Sequence, residues 1–219
     1  SFALARYNAD GSLDTSFGNN GMLITTIVGM DDVGRSVTIQ ADGKILLAGS
    51  ISDGNATHFA LLRYNADGSP DTSFSDDGIV TTLLEAGGSI GRSVTIQPDG
   101  KILVAGNSGW ELALARYNAD GSLDTSFSGD GMVTTTIGRA SYGNSVTVQS
   151  DGRILVAGHT WNGSDYDLLL VCYNADGSPD IGFSGDGQVT TAVGSFSDTG
   201  YSIAIQPDGK ILVAGTSLI

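Results

Sequence analysis

The chain says nearly the same thing four times. Arg6-Tyr7-Asn8-Ala9-Asp10-Gly11 returns from Arg63 and from Arg116, and again as Cys172-Tyr173-Asn174-Ala175-Asp176-Gly177. A second string, Asp-Gly-Lys/Arg-Ile-Leu-Leu/Val-Ala-Gly, begins at Asp42, Asp99, Asp151 and Asp208. The four tyrosines lie 57, 53 and 56 residues apart. A fixed period of this kind marks stacked structural units, each too small to bury a hydrophobic face alone. Recurring residues are therefore expected to build the frame, and non-recurring ones to carry any specific function.

One unit reads as four strands. Gly78 to Leu84 (GIVTTLL) is β-branched, Ser93 to Gln97 (SVTIQ) alternates, Lys101 to Gly106 (KILVAG) is continuously apolar, and Leu112 to Asn118 (LALARYN) follows. β-branched residues suit a pleated surface, and a continuous apolar run suits a strand buried on both faces. The second and third strands, b and c, are joined by Ala41-Asp42-Gly43, Pro98-Asp99-Gly100, Ser150-Asp151-Gly152 or Pro207-Asp208-Gly209. Pro presets the first corner of a turn, Asp tolerates the second, and Gly supplies the left-handed residue of a bulged hairpin. Four antiparallel strands per repeat predict an all-β, four-bladed β-propeller, a single domain over residues 1–219. Its units run 2–52, 59–106, 112–158 and 167–219, and the N-terminal strand completes the last blade. A linear β-solenoid is the alternative; its coils are usually shorter.

Charge narrows the partners. A net charge of −14 repels phosphate backbones and anionic lipid, which argues against nucleic-acid and membrane-surface roles. No apolar run approaches the roughly 20 residues that span a bilayer. The chain starts at Ser1 rather than Met, so it reads as processed or excised from something longer. Its lone cysteine, Cys172, rules out an intrachain disulfide and a cysteine zinc cluster.

In an up-and-down blade alternate connections emerge on opposite faces. One face carries near-identical b–c turns and d–a connections. The other carries c–d and a–b loops that differ in length and content, and it holds the scarce residues. Trp110, Trp161, Tyr142, Tyr166, His58, His159, Glu111, Asn162 and Asp165 are the candidate ligand-binding residues. Aromatic side chains would stack on sugar faces while the polar ones bond hydroxyls.

The d–a connections repeat a pair of acids: Asp10/Asp14, Asp67/Asp71, Asp120/Asp124 and Asp176/Asp180. These read first as Asx turns, the second acid pairing the Arg of the preceding strand. The alternative is a Ca²⁺ site, since hard cations want six to eight oxygens. Recurring Arg6/Arg63/Arg116, Arg35/Arg92 and Lys44/Lys101/Arg153/Lys210 are expected to be frame residues. Glu85 and Glu111 are the only candidates for a two-carboxylate glycosidase, a weak third reading.

The combination ARYNADGSLDTSF, GDGxVTT and SVTIQPDGKILVAG resembles the delta-60 repeat family over essentially the whole chain. The resemblance implies a bacterial extracellular or cell-envelope setting and no particular activity. The fourth copy departs most, with Cys172 for Arg and Ile181-Gly182 for Thr-Ser. Taken together, the expectation is a non-catalytic extracellular module that binds carbohydrate or another surface ligand. The alternative is a self-assembling structural module.

Overall fold

The computed structural model describes residues 1–27, 31–84 and 88–219. The described residues form an all-β chain of antiparallel hairpins. Three sheets have four strands. The first holds β3 (Val33–Ile39), β4 (Ile45–Ser52), β5 (Thr57–Tyr64) and β6 (Ile79–Thr82) in that order. The second holds β7 (Ser89–Ile96), β8 (Ile102–Ser108), β9 (Glu111–Tyr117) and β10 (Met132–Thr135). The third holds β11 (Ser141–Val148), β12 (Ile154–Trp161), β13 (Tyr166–Tyr173) and β14 (Gln188–Thr191). They are flanked by two half-blades, β1 (Phe2–Ala5) with β2 (Met22–Thr25), and β15 (Asp198–Ile205) with β16 (Ile211–Ser217).

The grouping of strands differs from the sequence reading. The GIVTT strand does not open its own unit. It pairs with the strand before it, as in Ile79↔Leu62 and Thr82↔Phe59, and forms the outer edge of the preceding blade. The cause lies in the d–a connection, which folds back on itself. Asn65 N–H bonds Ser69 O and Asp71 N–H bonds Arg63 O, so the chain returns to the sheet it left. Each blade is thus b–c–d–a, and the b strands β3, β7, β11 and β15 lie side by side.

The expected closure of the last blade by the N-terminal strand is not seen among the described residues. β1 pairs with β2 and β16 with β15, and no pairing joins β16 to β1 among the described residues. Matching strand sequence does not fix the angle between blades, which decides whether four units bring their ends together.

The core lies between blades, not within one. Side chains alternate across a strand. Ile45 and Leu47 therefore enter the cluster toward Phe2 and Phe17, while Leu46 and Ala48 enter the cluster with Val94, Ile102 and Val104. Leu103 and Ala105 repeat this toward Val146, Ile154 and Val156. The c strands β4, β8 and β12 are mostly apolar because both faces are covered by a neighbour, whereas β16 is largely exposed.

The recurring motif is the clamp between blades. Arg63 Nε meets Asp71 Oδ2 at 2.6 Å, its Nη1 donates to Ala119 O of the next blade, and its guanidinium lies 4.4 Å over Phe74. Arg116 repeats this with Asp124, Ala175 and Phe127. Tyr64, Tyr117 and Tyr173 each reach back to Thr25, Thr82 and Thr135 on the outer strand of the preceding blade. The third blade has Cys172 in place of Arg, and there Arg153 from the b–c turn reaches Asp180 at 3.1 Å. The clamp carbonyl and clamp Tyr account for why RYNADG hardly varies.

Candidate ligand-binding site

The b strands begin three or four residues before the expected SVTIQ, and the extra length of strand builds the site. Each contains a bulge after a glycine: Arg35 between Gly34 and Ser36, Arg92 between Gly91 and Ser93, Asn144 between Gly143 and Ser145, Tyr201 between Gly200 and Ser202. A bulge bends the strand and re-aims the extra side chain. The glycines are required by close approach. A Cβ on Gly91 would lie 2.7 Å from Gly49 O of the adjacent blade, and one on Gly106 only 1.8 Å from Ile90 O.

Beside these bulges opens a cleft of about 460 Å³, lined among others by Arg92, Asn107, Trp110 and Tyr142. Its size falls within the usual range of small-ligand pockets, ~300–1,000 Å³. Trp110 sits at the tip of the β8–β9 hairpin, 69% exposed. Arg92 Nε donates to Asn107 Oδ1 at 3.2 Å, and Asn107 Nδ2 donates to Gly109 O at 3.0 Å. The guanidinium lies 5.7 Å from the Tyr142 ring centroid.

Behind Tyr142 runs a chain of rings. His159 stacks on Tyr142 at 4.9 Å, Tyr166 meets His159 edge-on at 5.0 Å, and Trp161 meets Tyr166 at 5.1 Å. Asn144 Nδ2 lies 3.2 Å from His159 Nδ1 and donates to Gly200 O at 2.8 Å. Burial, and then the Arg92 charge, push the His159 pKa down to about 4. The imidazole is therefore neutral at pH 7 and serves as a ring and acceptor. Burial, reinforced by Tyr166, raises the Tyr142 phenol.

The structure brings some of the sequence candidates together and not others. Trp110 and Tyr142 line the cleft, with His159, Tyr166 and Trp161 behind them. Asn162 is consumed in its own hairpin, donating to Asp165 Oδ1 at 2.6 Å and Asp167 Oδ2 at 2.9 Å. Glu111 accepts a bond from Thr136 Oγ1. His58 pairs with Asp53 at 3.3 Å on the first blade's hairpin; its neighbour Thr57 lines the cleft instead. Glu85 lies outside the described residues.

The paired acids are turn carboxylates. Asp10, Asp67, Asp120 and Asp176 each accept the N–H and hydroxyl of Ser12, Ser69, Ser122 and Ser178, two residues on. The serine hydroxyl, then the N–H, pulls their pKa values down. Asp14 pairs with Arg6 at 2.8 Å; Asp71 and Asp124 pair with Arg63 and Arg116, and with Lys44 and Lys101. Burial alone would raise Asp71 and Asp124, but the lysine, serine and arginine donors outweigh it and hold both carboxyls well below the usual range. Among the described residues no group of three or more His, Cys, Asp or Glu side chains is placed to hold a metal ion. Cys172 is buried, and burial followed by the Asp180 charge pushes its thiol up to about 11, which leaves a poor nucleophile.

Sequence reasoning placed Arg35 and Arg92 in the frame with the other recurring basic residues. The structure corrects this: neither has a carboxylate partner among the described residues, and Arg92 lines the cleft. The signal was present as Gly-x-Ser, where x is Arg35, Arg92, Asn144 or Tyr201. A variable position inside a fixed frame points at something other than the frame.

No curated protein matches the chain. The family model described as "Domain of unknown function (DUF5122) beta-propeller" matches residues 1–17, 40–74, 97–127, 149–183 and 206–219. These segments contain the clamp motif and the b–c turns with their c strands, the recurring parts of the fold. They also span the variable c–d loops that carry Trp110 and Trp161, and leave out the a–b loops and the bulge positions. With more than half of its residues matched, the chain belongs to this β-propeller family of unknown function.

Proposed function

We propose that the chain is a non-catalytic, extracellular or cell-surface binding module that recognises carbohydrate through the cleft between Trp110 and Tyr142. The observation that carries this reading is Trp110, 69% exposed at a hairpin tip and facing a cleft with polar Arg92 and Asn107. Exposed indole next to fixed hydrogen-bonding groups is the chemistry that holds a sugar ring, apolar face against the ring and hydroxyls on the polar groups. The resemblance to delta-60 repeats supports the extracellular setting. Titration of the purified chain with a panel of oligosaccharides, followed by tryptophan fluorescence, tests it. One glycan class should give a saturable change that Trp110→Ala removes while the melting temperature stays within about 2 °C, as for an exposed substitution. Silence across the panel would remove carbohydrate as the ligand.

A second reading, a module that associates edge to edge with like units, is favoured by the two half-blades. Each half lacks what the other offers. Among the described residues Lys210 reaches only Asp208 of its own turn, whereas Lys44 and Lys101 reach Asp71 and Asp124. Asp14 has its arginine but no lysine. Tyr7 is 62% exposed, while its counterparts Tyr64, Tyr117 and Tyr173 bond a threonine of the preceding blade. The edge of β16, with Leu212 55% exposed, has the sequence that elsewhere pairs with a β1-type strand.

A further inference from the structure

Seven of the ten basic side chains pair with a carboxylate; among the described residues Arg35, Arg92 and Arg139 do not. In a chain of net charge −14, unneutralised arginines are the exception that needs a cause. Two of them occupy the same bulge position on adjacent innermost strands, β3 and β7. β3 and β7 pack side by side, and burial, then the Arg35 charge from the preceding blade, lower the Arg92 pKa. Like charges at equivalent positions of adjacent strands, with Arg92 half-buried, cost free energy that a bound anion would offset.

Arg92 is also positioned to donate. Its Nε is held by Asn107, which fixes the plane of the guanidinium, and neither Nη has a partner among the described residues. An arginine so fixed presents two parallel N–H groups to a carboxylate. Trp110 and Tyr142 border the same cleft. The surrounding negative charge disfavours a polyanion such as nucleic acid and suits a ligand whose charge is isolated on an uncharged body.

We infer that the cleft takes an acidic saccharide, a uronate whose carboxylate sits on Arg92 with Arg35 behind it and whose ring lies against Trp110. This rests on the carbohydrate reading above and adds the charge that the sugar must carry. Asn144 and Tyr201, the other two bulge residues, are polar and uncharged, so the positive side of the axis is the side of β3 and β7.

Isothermal titration of the full chain with galacturonate, glucuronate and mannuronate trisaccharides, each beside its methyl ester, is the test. Esterification removes the charge and leaves the ring. One acid trisaccharide should bind at least about tenfold more tightly than its ester, a difference of ~1.4 kcal/mol. Arg92→Gln should abolish that preference, Arg35→Gln should reduce it, and added salt should weaken it. Arg92→Lys guards against misfolding: it should melt like wild type and keep part of the preference as a point charge without the fork. Equal binding of acid and ester overturns the inference and leaves the carbohydrate reading standing. Acetate or sulfate binding as tightly as the trisaccharides overturns the saccharide assignment. No binding by any of them overturns the inference, while the carbohydrate reading is decided separately by the oligosaccharide panel above.

Discussion

Arg63 and Arg116 each tie three groups: an acid of their own blade, a phenyl ring of their own blade, and a carbonyl of the next. Removing either loses a charged hydrogen bond but leaves the carboxylate its lysine and serine, so Arg63→Ala or Arg116→Ala should cost about 1.5–3 kcal/mol by denaturant unfolding. Arg6, whose side chain is 35% exposed, should cost less than about 1 kcal/mol. The same carboxylates set acid stability. Their pKa values lie below the unfolded value, so their contribution is complete above the ordinary carboxylate pKa and is lost as pH falls beneath it. His159 acts in a different window. Its folded pKa of about 4 lies below the ordinary 6.5, so the unfolded chain takes the proton first. Stability should therefore fall as pH drops from 6.5 toward 4, and His159→Gln should flatten that slope in a series of thermal melts. The pairing of Arg with Asp was legible at this scale, because both recur at fixed spacing. The isolation of Arg92 was not, because recurrence alone does not distinguish a paired arginine from an unpaired one.

At the scale of elements, the hairpin turns and the doubly buried c strands follow directly from Pro-Asp-Gly and Lys-Ile-Leu-Val-Ala-Gly. The phase of the blade does not. A four-residue strand such as Met132–Thr135 alternates equally well whether it opens one sheet or closes another. The intervening connection is long enough to read as a crossover, yet its internal turns bring it home. The glycines before the bulges read as loop residues, which cut the b strands short on paper. They stand within strands because neighbouring blades touch there. Their partners on the c strands are as tightly placed: at Gly106, which pairs with Gly91, Gly106→Ala would drive a Cβ to 1.8 Å from Ile90 O of the same sheet. It should destabilise the chain by about 1–3 kcal/mol or more through the clash, beyond the cost of Gly109→Ala, which meets no neighbour and has only the cost of holding alanine at a φ of +53°. Comparison of the two urea midpoints checks the claim.

For the whole molecule, the division between a repeated face and a varied face was readable from the four copies laid side by side, and the aromatic cluster on the varied face follows from it. Where the ends lie was not, since that depends on accumulated blade-to-blade rotation. Edge pairing in the register seen inside the chain would set Ile211 opposite Tyr7 and Ala214 opposite Leu4, and bring Lys210 to Asp14. If β16 seeks such an edge on a second copy, sedimentation velocity should show mass rising with concentration, and a Pro at Val213 should suppress it by removing a ladder donor. Concentration-independent monomer would leave the binding module as the sole reading. The central claim is that ligand meets the varied face beside the bulged strands. An amide and side-chain heteronuclear NMR titration with the tightest-binding saccharide tests it most directly. The account predicts shifts confined to the Trp110 indole, the Asn107 and Asn144 amides and the Arg92 Nε–H, with the b–c turns silent. Shifts in the Asn-Ala-Asp-Gly loops or the Pro-Asp-Gly turns instead would place the ligand on the opposite face and contradict it.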